Sequence, residues 1–229
     1  MSTTTKLDGA VNRMTFHIDR MLRYADAVSL TIRECRDVKV QEFFLQTQAV
    51  MLLAFLEEFF ANLAKIATLH QSEEVRRYFR KYGNKEKQQL VREGCDLGIL
   101  GRLAEAKCSF KRNAKKLKRI FDALFGFSPF PDSRSEDLIL DLNLVRNVIA
   151  HRGGWPDENF AKKMRTPGVI VVDREIDTSA DGEPPRITRF YKLDLRKTTF
   201  CRDAIQAARE TVTYIHGLLQ QDARYRYGS

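Results

Sequence analysis

The sequence lacks an uninterrupted apolar run long enough for a membrane span, and it has few cysteines. The best candidate span, Ala49 to Leu69, contains Glu57, Glu58 and Lys65, each of which would be costly in lipid. It is expected to be a core helix, and no membrane is expected as a partner. The four cysteines, Cys35, Cys95, Cys108 and Cys201, include no Cys-x-x-Cys pair and have no histidine beside them at metal-ligand spacing. No metal site is expected, and the cysteines read as reduced thiols of a cytoplasmic protein. The opening MSTTTKLDGA has neither a basic start nor an apolar run, so no secretory signal is expected. There is no Gly-x-Ser-x-Gly, no Walker loop and no dinucleotide fingerprint, and hence no expected cofactor. Internal repeats and low-complexity tracts are also missing.

What is present is core-forming and basic. With 229 residues, 43% hydrophobic and 10% aromatic, the chain can bury a sizeable core as one large domain or a domain with an insertion. Against 30 Asp and Glu stand 39 Lys and Arg, a formal charge of +9. A polyanionic partner follows, and nucleic acid is the commonest. The excess is localised: residues 71 to 134 hold 16 Lys or Arg against 8 Asp or Glu, a net +8.

Periodicity gives the elements. Val11, Met14, Ile18, Met21, Leu22, Ala25, Val28 and Ile32 form one stripe of a helix over 8 to 33. Residues 38 to 69 are apolar on nearly all sides (Phe43, Phe44, Val50, Leu53, Phe60, Leu63), as in a central helix packed by neighbours. The two are expected to form a long antiparallel pair. Shorter helices follow, starting at Ser72 and stopping at Gly83 and Gly94, and a basic amphipathic stretch runs from Ser109 to Phe125. Residues 127 to 134 read as a loop, and Ser135 as the cap of a helix over 136 to 151 that stops at Gly153-Gly154. Beyond it, two β-branched, alternating runs predict a hairpin within 168 to 195, and a last helix opens at Thr198. The fold class is therefore mainly α: one helical domain over 1 to 229, with a basic helical insertion at about 71 to 134 and a β-hairpin insertion at about 168 to 195.

The helix over 136 to 151 carries the chemistry. Leu138, Leu142, Val145 and Ile149 form one stripe, and Leu140, Leu144 and Val148 a second, roughly opposite, with Asn147 and His151 at its polar edge. Two apolar faces need two covers, which places His151 at a contact surface. A histidine there can act as general acid or base, and Arg146 can stabilise a phosphate as its charge builds up. The structural alternative is a histidine in a C-terminal turn and a surface arginine.

The segment Arg146-Asn147-Val148-Ile149-Ala150-His151, an Arg followed by a polar residue and then three residues and a His late on a helix, resembles the signature of the HEPN superfamily. The similarity covers about Asp8 to Gly154 plus the last helix, and its specific residues are Arg146, Asn147 and His151. It implies an antiparallel helical bundle and a metal-independent endoribonuclease, usually a homodimer with two motifs facing each other. In that reading His151 helps the ribose 2′-hydroxyl attack the adjacent phosphate, Arg146 holds the phosphate and Asn147 orients it. An acid on the second helix accompanies the motif, best matched by Glu57 and next by Glu58. Members modified by a partner nucleotidyltransferase tend to carry Tyr two residues after the His; here that position is Gly153, and this regulation is not expected.

Other features are weighed beside the motif. Arg209 and His216 form a second Arg and His pair but lack the polar neighbour and the Gly-Gly stop, and they read as a solvated or packing pair. His17 and His70 have no ligand-spaced companions. Lys107, Lys111, Arg112, Lys115, Lys116, Lys118 and Arg119, interleaved with Phe110, Leu117 and Phe121, form either a solvated helix face or an RNA-phosphate surface, with Arg152 beside the motif as a further contact. The expected function is an endoribonuclease, a toxin or antiviral defence effector with RNA as substrate and an antitoxin or regulatory protein as partner. The alternative is a non-catalytic HEPN-like module that binds RNA or protein, or serves for dimerisation.

Overall fold

The structure, a computed structural model, describes residues 36–70, 72–106, 114–177, 187–196 and 198–221, together with 9, 12, 16, 18–20, 22, 23, 26, 27, 30 and 34. It is mainly helical with one small two-stranded antiparallel sheet. The described residues between 9 and 34 are all helical. The helices that follow are α1 (Val38–His70), α2 (Ser72–Tyr82), α3 (Lys85–Arg92), α4 (Leu97–Glu105), α5 (Ala114–Phe125), α6 (Ser133–Arg152) and α7 (Glu158–Lys163). The hairpin β1 (Ile170–Asp177) and β2 (Ile187–Leu193) precedes α8 (Phe200–Gln221). No helix among the described residues is long and apolar enough to cross a membrane.

Caps account for the helix starts. Asp37 Oδ1 accepts from the backbone N–H of Lys39 at 2.9 Å, opening α1, which runs 33 residues without Gly or Pro. Asn84 caps α3 and Asp96 caps α4 in the same way. Helix α6 begins at Ser133, so Ser133 and Arg134 belong to the helix rather than to a loop. Ser135, expected to cap it, is instead buried within the first turn. The expected helix over 109 to 125 is seen from Ala114; residues 107 to 113 lie outside the described residues.

The chain divides into two compact units. The first comprises Met1–Asp19, Ala54–Asp132 and Ala208–Ser229. Its centre is aromatic: Phe60 of α1 meets Phe121 of α5 edge to face at 5.2 Å, Phe121 lies 5.0 Å from Phe125, and Phe127 reaches Tyr214 of α8. Leu56, Leu63, Val75, Phe79, Leu100, Ile120 and Ile215 fill in around them, all buried. Truncating a ring such as Phe60 to alanine costs about 3–5 kcal/mol by cavity formation.

The second unit comprises Arg20–Leu53 and Ser133–Ala207. Here the hairpin pairs from Ile170 with Leu193 to Asp177 with Ile187, and a bulge between Val172 and Arg174 shifts the register. Its base is anchored twice, since Leu193 N–H donates to Gly154 O at 3.1 Å and Asp194 N–H to Val169 O at 2.9 Å. Lys192 and Arg196 both reach the Glu42 carboxylate of α1, at 3.2 and 3.6 Å. The start of α1 departs from the fully packed helix expected from its composition: Val40, Phe43 and Met51 are exposed.

Candidate functional site

Helix α6 is held from beneath by Asp141. This carboxylate is fully buried and accepts from Arg165 N–H at 3.0 Å, Thr166 N–H at 2.7 Å and the Thr166 hydroxyl at 2.8 Å, with the Arg165 guanidinium at 3.4 Å. Leu138, Leu142 and Val145 are buried, as expected of the first stripe. The second stripe is not an open face. Val148 is only 1% exposed and Leu140 and Leu144 are half-buried, so the chain itself covers part of it.

The motif residues lie at the C-terminal end of that helix. Arg146 and Asn147 are half-buried and His151 is exposed. On an ideal helix His151 stands about 40° from Asn147 but about 140° from Arg146. The Arg146 side chain narrows that gap, because its Nη1 donates to Asn147 Oδ1 at 3.1 Å and so brings the guanidinium round toward the Asn147 side. Half-buried Leu140, Asn143 and Leu144 continue the same face below Asn147, and exposed Ala150 flanks Asn147 on the side away from His151.

Two glycines end the helix. Gly153 and Gly154 both take positive φ, 57° and 89°, which L side chains adopt only at a cost. Gly154 N–H returns to Val148 O at 3.3 Å and Trp155 N–H to Arg152 O at 3.0 Å. Arg152 then pairs with Asp157 at 2.7 Å, and its guanidinium lies 5.0 Å from the centre of the Phe160 ring. Asp157 is itself the cap of α7, accepting from Phe160 N–H at 2.9 Å. That hydrogen bond, with the charge of Arg152, holds its carboxyl below the ordinary carboxylate range. Lys163 approaches Phe160 as well, at 5.9 Å.

The remaining expected residues are placed as follows. Glu57, half-buried, and Glu58, exposed, lie on α1 in the first unit. Lys111 and Arg112 fall outside the described residues; Lys115 and Lys116 lie on α5, and nothing of their side chains is described. Arg119 is exposed, 5.7 Å from the centre of the Tyr82 ring, which Lys81 approaches at 5.1 Å. Arg209 is ion-paired with Asp19 and His216 Nε2 is bonded to Gln220, in keeping with a packing pair. Among the described residues no group of His, Cys, Asp and Glu could hold a metal ion.

Sequence reasoning missed α7 and, with it, the surroundings of Arg152. A signal was present: Asp157 stands three residues before Phe160, and Glu158 four before Lys162, a cap and an i,i+4 ion pair, here 2.7 Å long. No protein-family model matches the chain, and no curated protein or solved structure matches it.

Proposed function

We propose that the chain is a metal-independent endoribonuclease of HEPN type, with RNA as substrate and Arg146, Asn147 and His151 as its working residues. The observation that carries this reading is the Arg146 to Asn147 hydrogen bond, which turns a guanidinium toward the face of exposed His151. The His151 imidazole takes the proton of a ribose 2′-hydroxyl as that oxygen attacks the adjacent phosphorus. Arg146 neutralises the charge that builds on the non-bridging oxygens. The bond to the 5′-oxygen breaks, leaving a 2′,3′-cyclic phosphate and a 5′-hydroxyl, and a second copy of the motif supplies the proton the leaving oxygen needs. The active form is thus a homodimer, with half-buried Leu140 and Leu144 beside the motif as its contact.

Purified protein is expected to cut single-stranded RNA in the presence of EDTA and to leave 2′,3′-cyclic phosphate ends. Arg146→Ala and His151→Ala each reduce cutting by at least about a hundredfold with the fold retained, whereas Arg209→Ala and His216→Ala do not. A toxin or defence effector held in check by an antitoxin is the biological form of this reading; expression is then toxic, and His151→Ala relieves the toxicity. Equal cutting by wild type and His151→Ala would turn the reading to a non-catalytic binding module. Exposed Val40, Phe43 and Met51, in the same unit as the motif, favour that second reading as a protein-contact surface.

A further inference from the structure

Trp155 is the only tryptophan of the chain, and it is 43% exposed. Its ring makes no aromatic or cation contact among the described residues, yet its backbone is fixed on both sides. Trp155 N–H is bonded to Arg152 O, Gly154 before it is bonded to Leu193 of the hairpin, and Pro156 after it is buried. A large aromatic surface is therefore displayed at a hydrogen-bonded turn, which lowers the cost of ordering the backbone on binding. It stands four positions after His151, so the two Cα atoms cannot be more than about 14 Å apart even without the turn.

The segment that follows carries both signs of charge: Arg152, whose carbonyl accepts from Trp155 N–H, is paired with Asp157 and Lys162 with Glu158, whereas Lys163, 5.9 Å from the Phe160 ring centre, makes no ion pair among the described residues. An exposed aromatic ring with cations a few residues away along the chain suits a strand whose base stacks while its phosphates meet the charges. Duplex RNA does not offer this, because its bases are already stacked and paired.

Resting on the ribonuclease reading, we propose that Trp155 is a stacking platform for an unpaired base of single-stranded RNA, next to the phosphate held at Arg146 and His151, with Arg152 and Lys163 contacting flanking phosphates. The platform makes the site specific for single strands.

The test uses the full chain and its single tryptophan as reporter. A 2′-O-methyl oligoribonucleotide, which cannot be cleaved, is expected to quench Trp155 fluorescence as a single strand and to leave it unchanged as a blunt-ended duplex with its complement. With a labelled oligonucleotide, Trp155→Ala raises Kd roughly ten- to a hundredfold, the loss of one stacked base, and Trp155→Phe restores most of it. Unchanged fluorescence with the single strand, equal quenching by the duplex, or wild-type affinity in Trp155→Ala would each overturn the proposal. Cleavage of ordinary RNA, assayed in parallel, separates the two ideas. Cutting without quenching removes the platform and keeps the ribonuclease, whereas quenching without cutting keeps the platform and removes the ribonuclease.

Discussion

Asp141 lies five residues before Arg146 and satisfies two backbone donors and one hydroxyl from the loop after α7. A carboxylate in that position ties the motif helix to Arg165 and Thr166, 24 and 25 residues further on. Asp141→Asn turns an amide N–H₂ toward groups that already donate, and buried donors left without an acceptor are costly. A loss of about 3 kcal/mol is expected, and with it a fall in Tm of roughly 6–12 °C by circular dichroism. Cys201 shows the opposite environment. Its thiol is buried, its Sγ faces Leu45 O at 3.6 Å, and burial pushes its pKa up to about 12. At pH 8 the thiolate fraction is then about one in ten thousand, so Cys201 should resist iodoacetamide in the native protein and react once urea unfolds it, as peptide mass spectrometry can read. At this scale the motif residues were legible as a pattern of types and spacing. The Asp141 contacts were not, because they join residues far apart in sequence and only a folded loop brings the donors to the carboxylate.

At the scale of elements, periodicity located the long helices and the hairpin, since each buries a face that repeats many times along the sequence. Helix α7 escaped because six residues hold too few turns for a period to show. Ser135 misled because a good capping residue does not cap when the helix has already begun before it. The apolar start of α1 misled in another way: composition reports what can be buried, whereas Phe43 is 65% exposed. The Gly153-Gly154 stop was read correctly as a stop, but it does more, since Gly154 O receives Leu193 N–H and so joins the motif helix to the base of the hairpin. The two glycines should therefore respond differently to substitution. Gly153 has φ 57° and is exposed, so Gly153→Asn, which tolerates the left-handed region, is expected to be nearly neutral. Gly154 has φ 89° and is buried, and Gly154→Ala should cost about 1–2 kcal/mol in backbone strain. Thermal melts of the two variants measure the difference; equal Tm values would mean that the left-handed backbone at Gly154 carries no cost for an L residue.

Across the whole molecule, most of the net charge and the motif fall in different units. Of the net +9, the segment 71 to 134 holds +8, and among the described residues that segment belongs almost wholly to the first unit, while Arg146 and His151 belong to the second. Arg77, Arg80, Lys81 and Arg119 are exposed and make no ion pair among the described residues. On the ribonuclease proposal these cations meet RNA phosphates, and affinity and cleavage should then be separable by mutation. Each phosphate contact adds about 0.7 to the slope of log K against log salt for a single strand. Reversing Lys81 and Arg119 to Glu removes two contacts, so the slope should become shallower by about 1.4 and Kd at physiological salt should rise, while the bonds cut at saturating RNA stay the same. His151→Ala should do the reverse, leaving the slope unchanged and stopping the cutting. Filter binding between 50 and 200 mM salt reads the first, and end-mapping of the products reads the second. An unchanged slope in the reversed variant would make the exposed cations of α2 and α5 a solvated surface, and the RNA-binding energy would then have to come from the second unit alone.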